Sequence, residues 1–257
     1  MMGAIIGDII GSVYEAYPID TTEFPLFSIK ADYTDDTVLT IATAYSILEQ
    51  VDYKTSYKQF GRKYTAGYGA NFYNWLESSS DAPYNSWGNG SAMRVSPIGF
   101  AFNDIDDVLN EAKKSAECTH NHPEGIKGAQ ATALAIYLAR IGKSKLFIKR
   151  EISQRFGYNL DRTLDEIRPS YQFEISCQKS VPESIIAFLK ADNLEGAIRN
   201  AVSLGGDADT MACIAGGIAQ AFYKEIPSEI IMEAELRIPK QFIEIIAKFN
   251  TTFAISV

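Results

Sequence analysis

The chain has 257 residues, 46% of them hydrophobic, enough to bury a sizeable core in one domain spanning 1–257. Twenty-four Lys and Arg against 32 Asp and Glu leave a net charge of -8, which excludes the basic footprint of a protein that grips nucleic-acid backbones. Cys118, Cys177 and Cys213 form no C-x-x-C, which argues against a disulfide framework or zinc site and for a reducing cytoplasm.

Apolar residues recur at helical spacing, predicting an all-α chain with helices over 3–15, 37–50, 54–66, 105–117, 124–140, 182–190, 194–203, 208–224, 228–236 and 239–249. In the first, "GAIIGDIIGSVYEA", Gly3, Gly7 and Gly11 recur every fourth residue and form a stripe that another helix can approach closely. This apolar start lacks the basic flank of a signal peptide and carries Asp8 and Glu15. No segment is long enough to span a membrane. The second helix opens in "YTDDTVLTIATAYSIL", where Thr34, Asp35, Asp36 and Thr37 precede Val38, Leu39, Ile41, Ala42, Tyr45 and Leu48 at core spacing. Next comes a Gly, Asn and Ser-rich interruption over 78–97 that contains Trp87. "THNHPEGIKGAQ" holds both histidines, His120 and His122, just before a helix that Pro123 and Glu124 open. The stretch "FEISCQKSVPES", 173–184, reads as extended until a helix begins at Pro182. In "SLGGDADTMACIAGGIAQAFY", Gly205 and Gly206 turn the chain and place Asp207, Asp209 and Thr210 at the mouth of a very apolar helix.

Two readings fit these oxygen-rich helix mouths. Acids and hydroxyls cap helices and complement their dipoles. Thr34, Asp35, Asp36, Asp207, Asp209 and Thr210 are also an oxygen-only set suited to Mg²⁺, Mn²⁺ or Ca²⁺. Glu15 reads either as a solvated surface residue or as a base or ligand beside those clusters. The loop "SWGNGSAMR", 86–94, offers backbone N–H groups to phosphates and an indole face to a base, but lacks the lysine of a P-loop. Two histidines alone are weak support for a metal site, and no G-x-S-x-G motif supports a serine nucleophile.

Five blocks in order, "GAIIGDIIGSVYEA", "YTDDT", "GNGSAMRVSPIG", "THNHPEGIKGAQATA" and "LGGDADTMACIAGGIAQAFY", together resemble the ADP-ribosylglycohydrolase family nearly end to end. The resemblance implies a compact orthogonal helical bundle with a binuclear Mg²⁺ or Mn²⁺ cleft. By motif, Thr34, Asp35 and Asp36 would hold one cation, Asp207 and Thr210 the other, and Asp209 would bridge them. Glu15, with Asp35 and Asp36, would serve catalysis. Ser86, Trp87, Gly88, Asn89, Gly90, Met93, His120 and Gly205 would contact the ligand. The implied activity is hydrolysis of the bond between ADP-ribose and an acceptor on a protein or small molecule, with ADP-ribose as product. A non-catalytic ADP-ribose binder or crystallin-like protein, and a hydrolase of a related small metabolite, are the alternatives on the same scaffold. The acceptor is not legible: arginine, serine, a nucleobase, poly-ADP-ribose and O-acetyl-ADP-ribose share the same ADP-ribose contacts.

Overall fold

A computed structural model describes residues 1–255. Among them fifteen helices follow in order: α1 (Met2–Ala16), α2 (Asp35–Glu49), α3 (Tyr53–Lys63), α4 (Ala70–Glu77), α5 (Gly90–Met93), α6 (Ser96–Ala101), α7 (Ile105–Glu117), α8 (Pro123–Arg140), α9 (Lys145–Phe156), α10 (Leu164–Ile167), α11 (Cys177–Leu189), α12 (Leu194–Val202), α13 (Ala208–Tyr223), α14 (Ser228–Glu235) and α15 (Lys240–Thr252). The only strand-like pairing among the described residues is an isolated bridge between Gly88 and Ser176. The all-α expectation holds. Among the described residues no helix is long and apolar enough to cross a membrane.

The glycine stripe decides what lies at the centre. Gly3 faces Gly216, Gly7 faces Ala212 and Gly11 faces Ala208, so α1 and α13 run antiparallel with their backbones in direct contact. Around this seam Ile5, Ile6, Ile9 and Ile10 of α1 are buried, and α13 is buried from Ala208 through Ala221. A helix apolar on every side belongs at the core of a bundle, and α8, α11 and α12 pack around α13 accordingly. The antiparallel pairing brings the carboxyl end of α1 to the amino end of α13. The amino end of α2 joins them there, tied to α1 through Asp8.

Several boundaries differ from the sequence pattern. Helix α2 starts at Asp35, so Asp35 and Asp36 form its first turn and Thr34 is its N-cap, with the Thr34 hydroxyl accepting from the Asp36 N–H. Helix α11 starts at Cys177, five residues before the expected Pro182, which sits inside the helix. Its start is fixed from outside: the Cys177 N–H donates to the Trp87 carbonyl and the Asn89 N–H to the Ile175 carbonyl. That clamp seeds the first turn, and the carbonyl Pro182 leaves unpaired belongs to exposed Gln178. The 78–97 interruption is not wholly loop, because α5 and the start of α6 fall inside it. Helix α4 buries Phe72, Trp75 and Leu76 at helical spacing but is only 8 residues long, too short for the pattern to stand out, and α9 and α10 carry no strong apolar period. In α9 only Ile148 and Ile152 are buried, although Ser144 caps its start and left-handed Gly157 ends it.

Candidate active site

Asp8 organises the meeting point of α1, α2 and α13. It has no exposed surface, and its carboxylate accepts the N–H and hydroxyl of both Thr34 and Thr37. Four donors on one carboxylate fix the entry of α2 against α1. The Thr34 hydroxyl, with its proton given to Asp8 at 2.7 Å, turns its lone pairs toward the acids of α2. Asp8 was not among the candidates from sequence. The signal was a charge in the middle of the apolar run Ile5–Ile10, where an unpaired acid is not tolerated.

The expected site residues of the two acidic helix mouths come together. Asp8, Asp36 and Asp209 each offer an oxygen within 4.8 Å of the others, and so do Glu15, Asp207 and Asp209. Asp209 belongs to both groups. The Thr210 hydroxyl donates to Asp36 at 3.1 Å, joining α13 to α2. Asp35 is half-buried, stands outside both groups of three, and lines the same cavity. Glu15 is the exposed member, at the cleft edge on the last turn of α1.

Burial raises the pKa of every one of these acids, and neighbouring carboxylates add to it at Glu15, Asp35, Asp36 and Asp209. Asp35, Asp36 and Asp209 are pushed well above the ordinary aspartate range, first by desolvation and then by neighbouring carboxylates. Asp8 rises to about 6 through burial, held back by its threonine donors. Asp207 is raised by burial, with the Asn89 amide opposing the shift. Glu15 is raised by desolvation and by the charges of Asp207 and Asp8. The amino ends of α2 and α13 point positive dipoles into the cluster, but that is a fraction of a charge against several carboxylates. Asp36 Oδ1 is buried with no hydrogen-bond partner among the described residues. A buried, unpartnered, oxygen-only constellation is what a hard divalent cation satisfies.

Glu15, Asp35, Asp36, Asp207 and Asp209 floor a cavity of about 540 Å³ whose wall includes Ser86, Gly88, Asn89, Gly90, Met93 and His120, a size suited to a nucleotide-like ligand. Asn89 donates to Asp207 at 2.8 Å, so this loop residue holds an acid in place. Two expected contacts stand off the wall. Trp87 is 52% exposed at the rim, edge-on to the His122 ring. Gly205 lies in a left-handed turn with φ 74°, where an added Cβ would stand 3.7 Å from Pro18. His122 caps α8 by accepting the Glu124 N–H. A larger cavity, about 950 Å³, opens beside α3 and α7. Its acids are engaged elsewhere: Asp81 with Lys54 and Lys58, Glu111 with Lys114 and the Tyr53 hydroxyl.

Comparison with known proteins places the chain in a family and agrees with the fold. The sequence model of a family described as ADP-ribosylglycohydrolase matches residues 1–252. The chain is similar to ADP-ribosylhydrolase ARH3 of Homo sapiens, 29% identical with 87% of this chain and 84% of the relative covered. It is likewise similar to ARH3 of Gallus gallus, at 30% identity with 88% and 84% covered. The ADP-ribosylarginine hydrolase Tri1 of Pseudomonas putida is 25% identical, with 87% and 69% covered. A solved structure titled ADP-ribosylglycohydrolase-related protein complex superposes with a TM-score of 0.70 over 100% of this chain and 97% of that one. At 21% identity it speaks for the fold.

Proposed function

The chain belongs to the ADP-ribosylglycohydrolase family, and on that premise we propose that it hydrolyses the N- or O-glycosidic bond between ADP-ribose and an acceptor on a protein or small molecule. The observation that carries this reading is Asp209, which is shared by both three-carboxylate groups on the cavity floor. The donor set fits a pair of divalent cations, Mg²⁺ or Mn²⁺: oxygen only, crowded, and with one buried lone pair unclaimed. Thr34, Asp35 and Asp36 would hold one, Asp207 and Thr210 the other, and Asp209 would lie between them. Such cations, when bound, supply Lewis-acid polarisation and offset the charge of the acids toward an anionic ligand.

The chain's own residues have distinct tasks in this reading. Glu15, exposed at the edge and with a raised pKa, takes the proton of the attacking water and returns one to the leaving group. Asp35 and Asp36 face the positive charge that develops at ribose C1 as the glycosidic bond lengthens. Asn89 keeps Asp207 oriented, and Asp8 keeps Thr34 oriented. In the Ser86–Gly90 loop the N–H groups of Ser86, Gly88 and Asn89 already donate within the protein, so those of Trp87 and Gly90 receive the diphosphate, and Met93, packed on Thr210, closes the floor against water. The same reading takes 1–257 as one catalytic domain. Cys118, Cys177 and Cys213, all free thiols, accord with a reducing cytoplasm as its site of action.

The test is release of free ADP-ribose, read by mass spectrometry, from defined ADP-ribosyl-arginine and ADP-ribosyl-serine peptides and O-acetyl-ADP-ribose. Release with Mg²⁺ or Mn²⁺ and none with chelator is expected. Intact substrates throughout the panel, or equal release with and without chelator, overturn the reading.

A further inference from the structure

Behind the Gly88–Gly90 loop runs a chain of hydrogen bonds that begins at a buried cation. Arg94 has no exposed surface. Its guanidinium lies 4.3 Å from the centre of the Tyr57 ring, and Nη2 donates to the Ser115 carbonyl at 2.8 Å and to Thr119 Oγ1 at 2.9 Å. Nε and Nη1 have no partner among the described residues. Thr119 Oγ1 in turn sits 2.7 Å from His120 Nδ1.

The direction of each bond follows from what each group can give. A guanidinium only donates, so Thr119 accepts from Arg94. Thr119 is fully buried, and Arg94 Nη2 and His120 Nδ1 are the partners of its hydroxyl among the described residues. With Arg94 donating, the single Thr119 proton goes to His120 Nδ1, since a buried hydroxyl that did otherwise would leave its proton without an acceptor. Burial first, and Arg94 second, hold the His120 pKa well below the usual histidine range, so the ring is neutral. A neutral imidazole that accepts at Nδ1 carries its proton on Nε2. That nitrogen faces the glycine loop: a Cβ on Gly90 would stand 3.1 Å from it, and one on Gly88 3.6 Å. Gly88, Gly90 and His120 all line the cavity.

We propose that Arg94 and Thr119 are positioning residues that lock His120 as the Nε2–H tautomer and so aim a neutral N–H donor into the cleft beside the Gly88–Gly90 loop. The ligand this donor serves, an anionic diphosphate, rests on the function proposed above; the tautomer does not. The opposite tautomer would present a lone pair to phosphate oxygens and repel them. Arg94, which itself lines the cavity, thereby acts on the ligand through His120, its Nη2 held between the Ser115 carbonyl and the Thr119 hydroxyl.

The chain has two histidines, so ¹⁵N side-chain NMR resolves His120 once His122→Gln supplies the assignment. In the unliganded wild type the expected spectrum has a pyrrole-type Nε2 and a pyridine-type Nδ1. Thr119→Val should populate both tautomers and weaken ADP-ribose binding about tenfold, the scale of one hydrogen bond to a charged group. Thr119→Ser, which keeps the hydroxyl, should restore both. A wild-type proton on Nδ1, or a Thr119→Val protein with unchanged tautomer and affinity, overturns the proposal. A wild type that carries the Nε2–H tautomer yet binds no ADP-ribose upholds the relay and refutes the proposed function instead.

Discussion

Gly11→Ala tests whether the α1–α13 seam sets the geometry of the acids. A Cβ at Gly11 would stand 2.5 Å from both the Ala208 carbonyl oxygen and the Asp209 α-carbon, where ordinary contact begins at 3.4 Å. Neither neighbour is a flexible side-chain tip, so the two helices must part locally by about 1 Å in an interior that is otherwise close-packed. Overpacking of this kind costs about 1–3 kcal/mol, or roughly 3–10 °C in Tm for a chain of this size. The functional loss should exceed the stability loss, because the displaced α-carbon carries the Asp209 carboxylate shared by both acidic groups. A misplacement of about 1 Å at a reacting centre reduces turnover by roughly 10²-fold. Thermal unfolding, calorimetric titration with Mn²⁺ and turnover would be measured side by side. Gly217→Ala, on the facing helix α13 but with its nearest neighbours at 3.4 Å, is the control and should be neutral or slightly stabilising. A Gly11→Ala protein with wild-type Tm, metal affinity and turnover would refute the reasoning.

Three further outcomes follow from the site. In chelator, Tm should fall as pH rises: a buried acid such as Asp8, held at about 6 against a usual 3.8, contributes stability that is complete below 3.8 and lost as pH climbs through about 6. Calorimetry should find that Asp8→Asn flattens this fall and that Mn²⁺ reverses it; a metal-free Tm that rises over the same range contradicts the burial argument. Glu15→Gln should leave ADP-ribose affinity near normal and lower turnover by about 10² to 10⁴, and unchanged turnover would move proton transfer to another group. Trp87→Ala should weaken ADP-ribose binding by about 1–3 kcal/mol if its exposed ring turns onto the base, while unchanged affinity in calorimetry leaves it a rim residue packed on His122.

The long core helices were legible because burial on one or all faces writes a period into the chain: α1, α2, α8 and α13 fall where apolar spacing put them. The pieces that were not legible formed for reasons outside their own spacing. Helix α11 begins before its proline because a neighbouring loop bonds the Ile175–Cys177 backbone. Helix α9 buries two side chains and is otherwise solvated, so its caps, Ser144 and Gly157, were its only strong markers. Helix α5 is four residues long and owes its form to the same clamp at Asn89.

The site was more legible than its connections. Sequence supplied two clusters of oxygen ligands and left open whether they met; the answer lay in the glycine stripe, which identifies a close approach but not its partner. Once α1 is laid antiparallel on α13, Asp8, Asp209 and Glu15 come to one end, and only then does the buried charge of Asp8 acquire a purpose. The capping and ligand readings of the helix mouths also prove compatible. Thr34 caps α2 through the Asp36 N–H while donating its proton to Asp8, and that leaves one oxygen lone pair free to face the cleft. A hydroxyl fixed at both ends by the fold is already oriented for a cation, so the local device that starts the helix also preorganises the site at its mouth.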